Sequence, residues 1–409
     1  MDEDKGVVLL AEEENEQPGE PGEIVVLPGA EQPEEQPAKK RKNKIWLIIL
    51  AAALVLIAAA VIVLVVLRTK TEKTDGTKQV SARDLEELYI FESHESNVFS
   101  AFGESSIVAS VADVTVYDSK GNVSYKSQIS CQSPAITAAQ KSAAVYDAGG
   151  MSVYAFSQKK QLYDYFPQEQ IVHADINDKG WMSVTTLDKD YKAAVTVLDG
   201  EGTEVYRFLS AGSYVLGASV SPNCKYMAVF SARQEQEIFT CAVTIFDLGK
   251  EKPQAEYTVE DDVILKADWC EADTIVCITR SGISFLDAKA KLRGTYDFED
   301  HVLYNCAFTN DGYIAVSMVK ENSRLFGTVA TVDYSGRELG REQISGTVQS
   351  LGASGSGVAV LLDNSMQVYN RNMKLKTLLS STDGARSVIV SDANTMLLIS
   401  HSVAKIFKP

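Results

Sequence analysis

Residues able to do chemistry are few in this chain, and their spacing is uninformative. His94, His173, His301 and His401 stand apart, with no HxH, HExxH or Cys/His spacing that would seat zinc, and each reads as a surface or turn histidine. Cys131, Cys224, Cys241, Cys270, Cys277 and Cys306 show no paired CxxC spacing, so most read as small core residues. Cys270 and Cys277 flank one expected hairpin and could come close, but a domain of this size buries enough apolar surface to fold without a bridge. Asp175, Asn177 and Asp178 resemble the start of a calcium loop, yet the twelfth position holds Thr186 where a bidentate Glu is needed, and a hairpin turn accounts for them. The stretch Gly352 to Gly357 lacks the Lys and Ser/Thr of a phosphate cradle, and reads as an inter-strand turn. Neither GxSxG nor SxxK occurs. The acid pairs Asp261-Asp262 and Glu299-Asp300 fall in expected connections between repeats, where solvated loop acids outnumber acid/base pairs. These residues assign no catalytic, metal or cofactor site.

The elements that would position them repeat. An alternating apolar run ending in a turn residue appears as Val116-Tyr117-Asp118, Val197-Leu198-Asp199, Ile245-Phe246-Asp247, Phe285-Leu286-Asp287 and Val332-Asp333, with degenerate copies ending at Ser157, Asn370 and Lys408. Successive marks lie 37 to 48 residues apart, the length of one four-stranded propeller blade. Turns such as Asp118 to Gly121, Asp199 to Gly202 and Asp333 to Gly336 supply the positive φ that tight hairpins need between a third and a fourth strand. A second hairpin precedes each, as at Asn177 to Gly180, Ser221-Pro222-Asn223 and Asn310-Asp311-Gly312. Small residues in Leu216-Gly217-Ala218-Ser219, Leu265-Lys266-Ala267-Asp268, Asn305-Cys306-Ala307-Phe308 and Leu351-Gly352-Ala353-Ser354 suit innermost strands crowded around an axis.

The pattern predicts an all-β domain from residue 85 to 409, a β-propeller of eight blades, or seven if a degenerate mark such as Ser157 is only a loop. The last unit, Ser387 to Phe407, has room for three strands, and Leu88 to Phe91 is an orphan of the right length to close the ring as its fourth. A β-sandwich or jelly roll would not carry a period near 40 residues along the whole domain.

Ahead of the domain, Ile45 to Leu67 is an uncharged apolar run long enough to cross a bilayer as a helix, and it starts too late and runs too long for a cleaved signal peptide. Lys39, Lys40, Arg41, Lys42 and Lys44 abut its N-terminal edge more densely than Arg68, Lys70 and Lys73 abut the other. The positive-inside rule then puts residues 1–44 in the cytoplasm as a disordered acidic tail, 45–67 in the membrane, 68–84 as a stalk and the large domain outside. The tail contains no Ser, Thr, Tyr or His, so phosphorylation of those residues cannot switch it. Of the formal net charge of -16, most of the acidity left over from the tail belongs to the domain, which makes nucleic acid a poor partner.

A basic-flanked span, a stalk, and units of the type Asn223-Cys224-Lys225-Tyr226-Met227-Ala228-Val229-Phe230 followed by Val243-Thr244-Ile245-Phe246-Asp247 together resemble a family of single-pass membrane proteins from clostridia-like Gram-positive bacteria. That resemblance brings no activity with it. The repeats also resemble quinoprotein-type and WD-type propellers, but the Trp that closes a quinoprotein repeat is missing, with only Trp181 and Trp269 in the domain, which argues against a quinone cofactor. The function expected is a membrane-anchored, extracytoplasmic binding scaffold for a cell-envelope protein, peptide or glycan. Two alternatives remain open: an envelope-polymer hydrolase or lyase with a loop-borne site, and a transmembrane sensor whose tail, through the apolar islands Val7 to Leu10 and Ile24 to Leu27, docks a cytoplasmic partner.

Overall fold

The computed structural model describes residues 77–409 apart from 236–237, 321–322, 383 and 393–394. The tail, the apolar run 45–67 and residues 68–76 of the expected stalk lie outside the described residues. Among the described residues no helix is long and apolar enough to cross a membrane.

Eight antiparallel sheets follow one another along the chain, each built on four strands laid down in sequence order. Blade 1 consists of Val98–Phe102, Ser105–Ala109, Asp113–Tyr117 and Val123–Gln128, and blade 2 of Pro134–Ala138, Ser142–Asp147, Val153–Ser157 and Gln161–Tyr165. Blade 3 holds Ile171–Ile176, Met182–Thr186, Ala193–Leu198 and Glu204–Ser210, and blade 4 holds Tyr214–Val220, Tyr226–Glu235, Ile238–Asp247 and Pro253–Glu260. Blade 5 comprises Ile264–Glu271, Thr274–Thr279, Gly282–Leu286 and Leu292–Asp297; blade 6, His301–Phe308, Tyr313–Lys320, Ser323–Asp333 and Glu338–Ser345. Blade 7 is Ser350–Ser354, Gly357–Leu361, Ser365–Asn370 and Leu375–Ser380, and blade 8 takes Ser387–Asp392, Thr395–Ile399 and Val403–Phe407 from the end of the chain. Its fourth strand, Glu86–Ile90, comes from the start and pairs antiparallel with Val403–Phe407, Glu86 opposite Ile406 and Ile90 opposite Val403. The fold is the eight-bladed propeller, closed by an N-terminal strand. Ser157, Asn370 and Lys408 each mark the end of a real third strand.

One element was invisible to the repeat. Lys78–Ser81, ahead of the boundary drawn at residue 85, adds a fifth strand to blade 7, parallel to Leu375–Ser380. It covers an outer edge that would otherwise expose unpaired backbone groups.

The apolar residues gather between blades. Eight buried clusters occur, one for each contact between successive blades, including Phe102, Ile107 and Phe156 between blades 1 and 2, and Phe285, Ile314 and Val316 between blades 5 and 6. Second and third strands are covered on both faces, so Ser105–Ala109 and Gly282–Leu286 are buried at every position, whereas outer strands such as Pro253–Glu260 alternate. The joint between blades 8 and 1 is sealed by Tyr89 stacked on Tyr117 at 3.8 Å between ring centroids, with the Tyr89 hydroxyl 2.9 Å from Ser106 Oγ.

The recurring Asp now has a mechanical role. Oδ1 of Asp118 accepts the backbone N–H groups of Lys120 and Asn122, two and four residues on, and Asp199, Asp287 and Asp333 do the same in their own turns, with Asn370 as a neutral copy. The side chain satisfies donors that a tight third-to-fourth-strand turn leaves without partners. These turns then abut the outer strand of the preceding blade. A Cβ on Gly121, whose φ is +80°, would stand 2.1 Å from the carbonyl oxygen of Leu88, so only glycine fits where blade 1 touches the closing strand.

Candidate functional site

A sheet radiating from an axis sends its first strand down the channel, and the residues there come from different blades at one level. Asp175 of blade 3, Ser219 of blade 4 and Asp268 of blade 5 line a channel cavity of about 340 Å³ together with Trp269, Phe308 and Ser354. Ser219 Oγ lies 2.8 Å from Asp175 Oδ2 and 2.6 Å from Asp268 Oδ1, and Thr137 of blade 2 donates to Asp175 Oδ1 at 2.9 Å. Four consecutive blades are therefore laced together through two carboxyl groups.

The geometry contains a proton. Ser219 carries one hydroxyl hydrogen and can donate it to only one carboxylate, so the second short contact needs a hydrogen from the other carboxyl group. Asp175 already accepts from Thr137 and suits the ionised role, which leaves the proton on Asp268, donating to Ser219 Oγ. Burial raises both groups, repulsion from Asp175 adds to it at Asp268, and Asp268 is pushed up to about 7. Lys266, exposed beside the pair with its ammonium 4.5 Å from the Phe308 ring centroid, pulls the other way. His173 completes the group: half-buried, its Nδ1 without a hydrogen-bond partner, and lowered first by burial.

The sequence-level candidates divide. Asn177 and Asp178 form the expected hairpin, Asn177 Oδ1 accepting from Lys179 and Trp181 and Gly180 sitting at φ +78°. Asp175, grouped with them, belongs instead to a strand and faces the channel, because strand alternation aims it away from the turn. His173, read as a surface or turn histidine, is likewise a strand residue, packed so that a Cβ on Gly217 would meet its ring at 3.0 Å. His94 and His301 do lie beside acids, at 3.7 Å from Glu92 and 2.8 Å from Asp300. All six cysteines are free. Cys270 and Cys277 sit in different inter-blade cores, and burial pushes the thiols of Cys131 and Cys277 to about 11 and about 12.

Asp261-Asp262 and Glu299-Asp300 lie in adjacent inter-blade connections and line one cavity of about 730 Å³ with Arg280, His301 and Lys320. Asp262 is used locally, accepting the N–H of Arg280 and both the N–H and hydroxyl of Ser281. Asp300 is held by His301 and by Lys320 at 2.8 Å. Glu299, Asp300 and His301 could each offer one ligand atom within 4.8 Å of the others, but the lysine already neutralises the central carboxylate, so the trio reads as an ion-pair cluster.

Surface apolar residues are distributed unequally. In this topology the first-to-second and third-to-fourth turns share one face, and the second-to-third hairpins share the opposite face with the links between blades. Among the described residues eighteen large hydrophobics are exposed, and all but Val123, Val205, Leu292 and the mid-strand Tyr304 belong to the second face or to strand residues near it. Phe166, Leu187, Tyr214, Leu265 and Phe326 are among them, on blades 2 to 6, and Phe326 is 67% exposed.

Comparison with known proteins agrees with this architecture. The chain belongs to a family of unknown function (DUF5711), whose pattern matches residues 77–407. No curated protein matches the sequence. In structure it is similar to the C-terminal WD40 domain of Sif2, with a TM-score of 0.60 and 11% identity over 82% of this chain and 100% of that one. It also matches the β-propeller domain of Cps50 (Swd1) from Myceliophteria thermophila, with a TM-score of 0.49 and 10% identity over 67% of this chain and 94% of that one. At such identities the likeness extends to the fold alone.

Proposed function

We propose that this propeller is a tethered binding scaffold whose apolar loop face receives a protein or peptide of the cell envelope. One observation carries the reading: fourteen of the eighteen exposed large hydrophobics among the described residues gather at a single face. A monomer that needed no partner would scatter them, and exposed apolar residues concentrated on one side mark interaction surfaces. Aromatic residues such as Tyr and Phe are enriched in such interfaces. The apolar run 45–67 and its denser basic flank at 39–44 support a single-pass anchor with the propeller on the extracytoplasmic side, as in the clostridia-like Gram-positive family the sequence resembles. An acidic domain surface disfavours nucleic acid as the ligand.

Site-specific photo-crosslinking in living cells tests this. A benzophenone residue at Tyr214 or Leu265 is expected to give a discrete protein adduct, whereas the same probe at Val205 or Leu292 gives none. Adducts from all four positions, or from neither face, would sink the reading. Protease shaving of intact cells checks the orientation, with loss or release of the domain as the expected result.

The channel pair favours a second reading, a hydrolase or lyase, because it presents one protonated and one ionised carboxyl group in a cavity, as acid/base catalysis requires. Its carboxyl groups are engaged by Ser219 and Thr137, however, so we place that reading second.

A further inference from the structure

The loop face is uneven. Blades 4 and 6 carry long second and third strands, Tyr226–Glu235 with Ile238–Asp247 and Tyr313–Lys320 with Ser323–Asp333. Between them blade 5 turns from Thr279 to Gly282 through Arg280 and Ser281 alone. A tight turn flanked by two tall hairpins makes a notch, and the 730 Å³ cavity lies in it, walled by Glu260 to Asp262 on one side and Glu299 to Val302 with Lys320 on the other.

Five carboxylates line this notch against Arg280 and Lys320. Asp262 serves the backbone and Asp300 neutralises Lys320, so Glu260, Asp261 and Glu299 supply the outward negative field, with Glu299 only 3.6 Å from the already paired Arg341. Beside these acids stand exposed Val263 and Leu265, and each flanking hairpin bears an exposed Phe, Phe239 and Phe326. Three acids, Glu260, Asp261 and Asp262, run directly into exposed Val263 and Leu265.

We infer that the notch above blade 5 holds an extended segment of the protein partner that carries Lys or Arg together with aliphatic residues. This rests on the loop face being the binding face. Cations of such a segment can meet Glu260, Asp261 and Glu299 in the notch while its aliphatic side chains lie on Val263 and Leu265 beside it. Charge complementarity selects the sign of the partner.

The test is fluorescence anisotropy with the full chain in detergent and two labelled peptides, one alternating Lys and Val, the other Glu and Val. The Lys–Val peptide is expected to bind, more weakly as salt rises. The combined variant Glu260→Gln, Asp261→Asn, Glu299→Gln is expected to lower that affinity roughly tenfold, the sum of three exposed ion pairs. Asp262 and Asp300 are left in place because the local structure uses them. Equal affinity for the two peptides overturns the inference, as does preference for the Glu–Val peptide, or binding of zinc or calcium at Glu299 to His301 with no peptide binding. Should the variant fail to fold, the peptide preference and salt series of the wild-type chain decide alone. Photo-adducts at Tyr214 and Leu265 that persist while the peptides fail would refute the notch and leave the loop-face reading standing; loss of both refutes the reading itself.

Discussion

Replacing Asp268 with Asn should change how stability depends on pH, and the direction follows from the hydroxyl bridge. Below about pH 3.9 the group carries its proton folded or unfolded, and above about 7 it carries it in neither state, so folding retains the proton only between those limits. Stability from this group is complete at the acid end and is lost as pH rises through 7. Between pH 5 and 8 the linkage spans about two pH units, which at about 1.4 kcal/mol each set a ceiling of about 3 kcal/mol, and because Asp268 is half-buried and lines an open channel, about 1.5 to 3 kcal/mol is the working range. With an unfolding entropy of about 2.1 cal/mol/K per residue over roughly 330 residues, that is about 2 to 4 °C in Tm. The amide introduced by Asp268→Asn can still donate to Ser219, and it cannot ionise. Measured by scanning fluorimetry on the full chain, the variant's Tm minus the wild-type Tm should therefore rise by that amount from pH 5 to pH 8. His173, half-buried and lowered first by burial, contributes the opposite slope below about 6.5, and because the Asp268 charge partly offsets that lowering, the rise above about 6.5 is the part that reports Asp268 alone. The lowered carboxylates, such as Asp113 and Asp333, act only below the window. A flat difference curve from pH 5 to 8 refutes the shared proton.

Two further substitutions test the ring. Asp333→Ala removes the acceptor for Ser335 and Arg337 N–H and is expected to cost about 1 to 2 kcal/mol in chemical denaturation, while Asp333→Asn, like the natural Asn370, keeps most of it. Gly121→Ala and Gly149→Ala both place a side chain at φ near +80°, but only at Gly121 does the new Cβ meet backbone, the Leu88 carbonyl. Gly149→Ala should cost about 1 kcal/mol and Gly121→Ala clearly more, with proteolysis of the opened Glu86–Ile90 strand as the readout.

The period was legible because the residue that sets it has a local job: an Asp that closes a tight turn must recur wherever the turn recurs. Closure was legible by subtraction, since Ser387 to Phe407 offered three strands and a ring needs four. Lys78–Ser81 was not, because an edge strand paired only through its backbone carries no alternation to read. The channel pair escaped for a different reason. Asp175, Ser219 and Asp268 are about 45 residues apart and meet only because each follows an Ala at the same level of successive first strands, in Ala174-Asp175, Ala218-Ser219 and Ala267-Asp268. Ala218 and Ala267 read as packing residues and Ala174 carries no mark of its own, while the polar residue after each, one step on and facing the opposite way, was the signal. The acid pairs 261–262 and 299–300 were visible singly, but that they share a cavity depends on the short turn of blade 5.

The two faces of the ring also differ in what constrains them. Third-to-fourth-strand turns are held by their own Asp and by contact with the neighbouring blade, as Gly121 on Leu88 and Gly336 on Thr295 show, so length or chemistry cannot change there without disturbing an inter-blade joint. The opposite face carries the second-to-third hairpins, which range from the two-residue turn of blade 5 to the long hairpins of blades 4 and 6 without altering the register below them. Variation is tolerated where no neighbour rests, and the same freedom leaves those residues exposed to a partner. The apolar residues and the unneutralised acids have collected on the face that the mechanics of closure leave free.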